Sequence, residues 1–223
     1  MLPGERFVNG VIKIIVRLLM KIDYREFERI PLTGPGLLIS NHTSNIEGPL
    51  LFVLSRPRPM SGLAKRELWG NPVTRFLMQT WGLIPVTRGK LDSKALRKAE
   101  SALANRKILG IAPEGTRSRD GVLQQGKPGA ALLAYHNNCA IIPMVQWGIG
   151  DLRRNVRRFK RTPVGIRVGE PFSLRQTGTR PSRTDLRQMA DEIMFQLAVL
   201  LPERFRGEYR DLTRMTTDFI IRP

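Results

Sequence analysis

The stretch Leu37-Leu38-Ile39-Ser40-Asn41-His42-Thr43-Ser44-Asn45-Ile46-Glu47 decides how this chain folds. A short apolar run without a breaker gives way to a polar loop, which predicts a strand over 37–40, covered on both faces, that ends where Asn41 begins. Working outward, Gly62–Ala64, Leu83–Thr87, Ile108–Ala112, Ile141–Gln146 and Val164–Val168 read as strands in the same way. Helical patterns lie between them. Pro72–Thr80 opens on Asn71 as a cap with proline at the first helical position. Residues 92–105 carry Ala95, Leu96, Ala99, Ala102 and Leu103 at helical spacing, and an amphipathic helix over 184–201 follows. Strands alternating with helices predict a single α/β domain, with a largely parallel or mixed sheet flanked by helices on both faces. Sites in such sheets gather at the strand ends.

Size and composition agree with one globular domain: 223 residues, 41% of them hydrophobic, with glycine and proline frequent but without a period. The lone Cys139 sits in the apolar stretch Cys139-Ala140-Ile141-Ile142, which predicts a buried structural thiol, and no disulfide framework exists, as suits a reducing compartment. With two histidines and one cysteine at no metal-ligand spacing, no metal is expected, and no cofactor motif is present. A formal charge of +18, from 37 basic against 19 acidic residues, points to an anionic partner: nucleic acid, a phospholipid surface or a phosphorylated substrate.

The N-terminal residues 1–25 divide into two faces. Lys13, Arg17 and Lys21 recur every four residues along one side of a helix, and Phe7, Val8, Val11, Ile12, Ile15, Leu18 and Leu19 cover much of the rest. That pattern fits an amphipathic helix in a membrane interface; the alternative is a helix packed on the domain. Glu5 and the interrupting cations differ from a secretory leader, and the uncharged stretch 128–150 holds too many prolines, asparagines and glycines for a membrane-spanning helix. Residues 26–205 then form the domain, and 206–223 a polar tail expected to be loose. The run Arg153 to Arg161 suits anionic lipid, nucleic acid or a solvated face; few aromatics and no recognised motif speak against nucleic acid.

A histidine base has to be His42 or His136. His136 ends an apolar helix, where an imidazole commonly serves helix carbonyls. His42 follows a strand in a loop, with a carboxylate five residues on at Glu47, so the pair has the elements of a general base and the group that orients it. Ser44-x-x-Glu47 also matches a capping box, although Pro49 would then fall inside the helix and forfeit a bond. Three further segments stand at strand ends: Gly82 to Arg88, Glu114-Gly115-Thr116-Arg117-Ser118, and the apolar run around Pro143. Arg88 and Arg117 are suited to phosphate, and Gly115, Thr116 and Ser118 to a close approach by an anion; solvated turns are the alternative.

These segments resemble, in order, the four motifs of the phosphate acyltransferases of the lysophosphatidate and glycerol-3-phosphate type, over roughly residues 30 to 170. That family's first motif is Asn-His, four variable residues and Asp; here Asn41-His42 is followed by Glu47, a departure that shifts the carboxylate by about 1.5 Å on a fixed backbone. The resemblance implies an enzyme that moves a fatty acyl group from acyl-coenzyme A or acyl carrier protein to a hydroxyl of lysophosphatidate. His42 would be the base, Glu47 its orienting acid, and Cys139 would have no catalytic part. Arg88, Glu114, Gly115, Thr116, Arg117 and Ser118 would hold the acceptor, and Pro143 would shape the acyl-donor pocket. Such an enzyme would sit peripherally on the cytoplasmic face of the cell membrane, against anionic lipids, with no nucleic acid partner. Other readings are a different acceptor, such as glycerol 3-phosphate, a lyso-amino-lipid or a glycolipid, and a non-catalytic basic protein that binds lipid or nucleic acid.

Overall fold

The computed structural model describes residues 3–55, 58–87 and 93–222. In chain order its elements are α1 (Pro3–Leu19), β1 (Met20–Lys21), β2 (Gly36–Ser40), α2 (Glu47–Leu54), β3 (Met60–Lys65), α3 (Pro72–Thr80), β4 (Ile84–Val86), α4 (Ser93–Ala104) and β5 (Ile108–Ile111). Then come α5 (Pro128–Asn137), β6 (Ala140–Trp147), α6 (Leu152–Val156), β7 (Thr162–Pro163), β8 (Gly165–Val168), β9 (Ser173–Leu174), α7 (Arg183–Leu200) and β10 (Ile220–Ile221). Six strands form the main sheet in the order β4-β3-β5-β2-β6-β8. All neighbours are parallel except β6 and β8, so the sheet is mixed, with its antiparallel strand at one edge.

β2 is buried along its whole length because both faces of the sheet are covered. Its side chains alternate: Leu37 and Ile39 join a core with α4, α5 and α7, and Leu38 joins a second core with α1, α2 and α3. The connection from β2 to β3 runs through α2 over one face, and that from β5 to β6 through α5 over the other. Loops leaving the C-terminal ends of the adjacent strands β2 and β5 therefore diverge, the arrangement that opens a crevice in parallel sheets.

α2 begins at Glu47, so Pro49 stands third, among the first residues whose N–H groups have no helical acceptor, and costs the helix nothing there. The capping box on Ser44 is not formed: the Ser44 hydroxyl accepts from the Ile46 amide, and Glu47 turns toward His42. α3 starts as expected, Asn71 accepting from the amides of Val73 and Thr74.

The N-terminal helix is present as expected, and the C-terminal end differs from expectation. α1 is packed on the domain through buried Asn9 and Val16, and Asn9 accepts a hydrogen bond of 2.9 Å from the Trp81 indole. Its other side leaves Phe7 (74%), Val11, Ile14, Ile15 and Leu18 (66%) exposed. Residues 206–222, expected to form a loose tail, are instead part of the first core. Tyr209 and Ile220 are buried, β10 pairs with β9, and the buried Glu192 carboxylate of α7 accepts from the amides of Asp218 and Phe219 and from the Thr216 hydroxyl. The polar composition that reads as a tail is a set of partners for buried polar groups of α7.

After α6 the chain turns through Phe159, whose φ of 53° lies in the left-handed region. The Phe159 amide donates to Val156 and that of Lys160 to Asn155, a Schellman-type closure in which glycine usually holds the left-handed position. A side chain there costs roughly 1–2 kcal/mol, and the Phe159 ring is fully exposed.

Candidate active site

Asn41, the first residue beyond β2, keeps the loop in line with the sheet. Its side-chain amide donates to the Gln146 carbonyl at 2.8 Å and its oxygen accepts from the Gln146 amide at 2.9 Å, so a side chain continues the ladder between β2 and β6 by one step. His42 follows, part-buried, with Nδ1 2.9 Å from Glu47 Oε2. The same carboxylate oxygen accepts from the Thr43 amide at 2.8 Å, and the Thr43 hydroxyl bonds the other oxygen. Glu47 is buried and opens α2, where the helix N-terminus favours a negative charge. The longer glutamate side chain thus reaches the imidazole from the first helical residue. With Nδ1–H given to Glu47, Nε2 carries the lone pair, the state a general base needs.

The segment Glu114–Ser118, at the end of β5, clasps the His42 backbone from both sides. Glu114 Oε1 accepts from the His42 amide at 2.8 Å, and the Ser118 amide donates to the His42 carbonyl at 2.8 Å. Glu114 Oε2 accepts from the Gln124 amide at 3.0 Å, so both of its oxygens are occupied, and the side chain is buried. Burial pushes the Glu114 carboxyl up to about 7, against the opposing pull of the Gln124 and His42 amides. The Ser118 hydroxyl is also committed within the loop, donating to Asp120 at 2.7 Å and accepting from the Gly121 amide at 3.0 Å. Glu114 and Ser118, grouped by sequence with the ligand-holding residues, therefore have their side chains spent on shaping the loop.

That leaves Gly115, Thr116 and Arg117 facing outward. Gly115 is exposed at φ +67°, and a Cβ there would stand 3.0 Å from Lys127 Cδ and 3.2 Å from its ammonium nitrogen. Arg117 is exposed, and among the described residues no hydrogen bond or ion pair is recorded for it. The loop thus presents the guanidinium of Arg117 and the ammonium of Lys127, together with a backbone that an anion can approach closely. Arg88 lies outside the described residues. Pro143 is buried within β6 and borders a cleft of about 410 Å³ whose other walls are Glu26, Arg29, residues 167–170, Arg222 and the end of α7; neither His42, Glu47 nor any residue of 114–118 lines it.

Sequence reasoning missed Thr43 and Lys127. Thr43 adjoins the histidine, and only the turn of the loop shows that its hydroxyl belongs to Glu47. Lys127 sits in Gly126-Lys127-Pro128, where a cation directly before a helix-starting proline was the available signal. His136 is exposed in the last turn of α5. The Cys139 thiol is buried and burial pushes it up to about 11, which removes it as a nucleophile. Among the described residues no cluster of side chains has the makings of a metal site, and no helix is long and apolar enough to cross a membrane.

Known proteins bear on this geometry. A 1-acyl-sn-glycerol-3-phosphate acyltransferase of Borreliella burgdorferi is 28% identical over 134 residues, 59% of this chain and 53% of that protein. A chloroplastic one of Arabidopsis thaliana is 27% identical over 59% of this chain but only 37% of its own length, so the chain spans about half, or less, of these relatives. One from Bacillus subtilis is 22% identical over 84% of this chain and 92% of its own. The crystal structure of the 1-acyl-sn-glycerophosphate acyltransferase PlsC of Thermotoga maritima superposes with a TM-score of 0.59, at 23% identity, over 85% of this chain and 78% of that one, which shows a shared fold. The family profile described as Acyltransferase matches residues 21–147, a span that runs from β1 through the His42 loop and the Glu114 clasp to the end of β6. With more than half of the chain matched and the fold shared, the chain belongs to the acyltransferase family.

Proposed function

We propose that this chain transfers a fatty acyl group from a thioester, acyl-coenzyme A or acyl carrier protein, to the free hydroxyl of lysophosphatidate, forming phosphatidate. The observation that carries the reading is the 2.9 Å pair between His42 Nδ1 and Glu47, which leaves Nε2 as a base at the mouth of the sheet crevice. Nε2 takes the hydroxyl proton, and the oxygen attacks the thioester carbonyl carbon. The C–S bond breaks, and the imidazolium returns its proton to the departing thiolate. Glu47 holds the tautomer and offsets the charge that His42 gains. No acyl-enzyme forms, in keeping with the buried, weakly acidic Cys139 thiol. Arg117, Lys127, Arg88 and the backbone at Gly115 and Thr116 take the acceptor phosphate, with Glu114 and Ser118 as positioning residues. Pro143 would shape the acyl-donor side, a role that rests on the resemblance of its segment and not on the cleft it borders. The apolar side of α1 rests in an anionic bilayer at the cytoplasmic face, which brings the crevice to its lipid substrate. Names of the relatives support the acceptor, and the two faces of α1 support the bilayer.

The test is transfer from labelled long-chain acyl-coenzyme A to lysophosphatidate and to glycerol 3-phosphate. Loss of the His42 base should lower phosphatidate formation by about 10²–10⁴-fold in folded His42→Ala. Glu47→Asp should also slow the reaction, because on this backbone the shorter carboxylate falls about 1.5 Å short of Nδ1. Undiminished transfer by His42→Ala would sink the mechanism. Acylation of glycerol 3-phosphate alone would move the acceptor.

A further inference from the structure

The turn that closes α6 has a composition that folding does not require. Between Asp151 and Arg161 stand six cations, Arg153, Arg154, Arg157, Arg158, Lys160 and Arg161, all of them exposed. Among the described residues, only Arg154 of these six has a carboxylate within ion-pair range, Asp151 at 2.9 Å. At the tip is Phe159, fully exposed and in the left-handed conformation that glycine would hold without strain. The ring packs on neither core, and Val156 beside it is 40% exposed. A solvated basic face accounts for the arginines, but not for an unpacked phenyl ring at a strained position.

The turn is also tied to α1. β1, which continues α1, pairs with β7 directly after the turn, and the Arg161 guanidinium donates to the Met20 carbonyl at 3.1 Å. The cationic tip therefore stands next to the end of α1 that bears exposed Leu18. We infer that the turn 151–161 is a second membrane contact, which selects anionic phospholipid through its arginines and seats the Phe159 ring at the level of the acyl boundary. It rests on the reading of α1 as lipid-facing. α1 offers five exposed large apolar side chains to any bilayer, with Arg17 and Lys21 exposed beside them, whereas the turn sets six cations around a single ring and depends the more on head-group charge. An aromatic ring with cations around it is complementary to such a surface, because the ring enters the interface while the guanidinium groups stay with the phosphates.

The full chain is labelled with an environment-sensitive fluorophore on the thiol introduced by Phe159→Cys; buried Cys139, pushed up to about 11, stays unlabelled. It is mixed with sucrose-loaded vesicles of phosphatidylcholine, or of phosphatidylcholine and phosphatidylglycerol in equal parts. The label should shift to the blue and brighten on the anionic vesicles, and much less on the neutral ones. Paired Arg157→Gln and Arg158→Gln should weaken sedimentation with anionic vesicles about thirtyfold and leave the neutral ones unchanged. Phe159→Gly should weaken it while the thermal midpoint stays level or rises, which separates binding from folding. If the chain sediments with anionic vesicles and the label stays in water, the inference falls and the α1 reading survives. If it sediments with neither vesicle, both fall. Tight capture of a labelled RNA in place of vesicles would assign the cations to nucleic acid and overturn the inference as well.

Discussion

Glu114 shows how much of this site depends on one buried carboxyl. Its oxygens hold the amides of His42 and Gln124, which tie together positions 72 and 10 residues away. Glu114→Gln keeps the shape but supplies one acceptor, so one amide then faces an NH₂ group, at a cost of about 1–3 kcal/mol. The wild-type pH dependence has a definite sign. The folded chain keeps a proton on Glu114 up to about 7, and the unfolded chain releases it near 4.5. This group therefore stabilises the fold most below 4.5, and its contribution falls by about 3 kcal/mol as pH rises through that window. Urea unfolding between pH 4.5 and 7.5 should show that decline in the wild type and a flatter profile in Glu114→Gln; parallel profiles would refute the assignment. The roles of such residues are only half legible in sequence. His42 and Glu47 announce themselves by type and spacing, and the structure closes the pair despite the extra methylene. Glu114 looks the same in sequence whether it meets a ligand or two amides, because only the fold decides what surrounds it.

Elements were more legible than their ends. Each of the six main strands lies where an apolar run between polar loops predicts it, most clearly in β2 and β6, where burial on both faces leaves little choice of residue. Helix starts marked by local chemistry, such as Asn71-Pro72, were also readable. The C-terminal segment was not, because its worth lies in contacts with distant partners. The Tyr209 hydroxyl donates to Asp191 at 2.7 Å and accepts from the Gly126 amide at 3.1 Å, and burial, then Asp191, pushes it up to about 12. Tyr209→Phe leaves both partners short of a bond and should cost about 1–3 kcal/mol. Truncation before residue 206 should lower the thermal midpoint sharply, since it also uncovers Glu192 and Phe195. A midpoint unchanged by truncation would restore the loose tail.

For the molecule as a whole, the charge of +18 and the two faces of α1 are legible in the sequence, but not which apolar residues stay outside. The structure divides them: Val16 goes inward, and Phe7, Val11, Ile14, Ile15 and Leu18 outward. Phe7→Ser with Leu18→Ser should abolish sedimentation with neutral vesicles and leave the melting temperature within a degree or two, about what substitutions away from the core allow. A large drop in melting temperature would mean that this face is structural. The side-chain ladder of Asn41 and the clasp of Glu114 carry a wider consequence. The loop of β2 takes its shape from β5 and from β6, two strands synthesised long after it. While the chain emerges, His42 and Glu47 are already close in sequence, yet the loop is held from both strands only once Glu114 and then Gln146 have arrived, 72 and 105 residues after their partners. A nascent chain would thus hold the proposed base and its acid without a shaped loop around them until β6 has joined the sheet, so that the site is among the last features of the sheet to form.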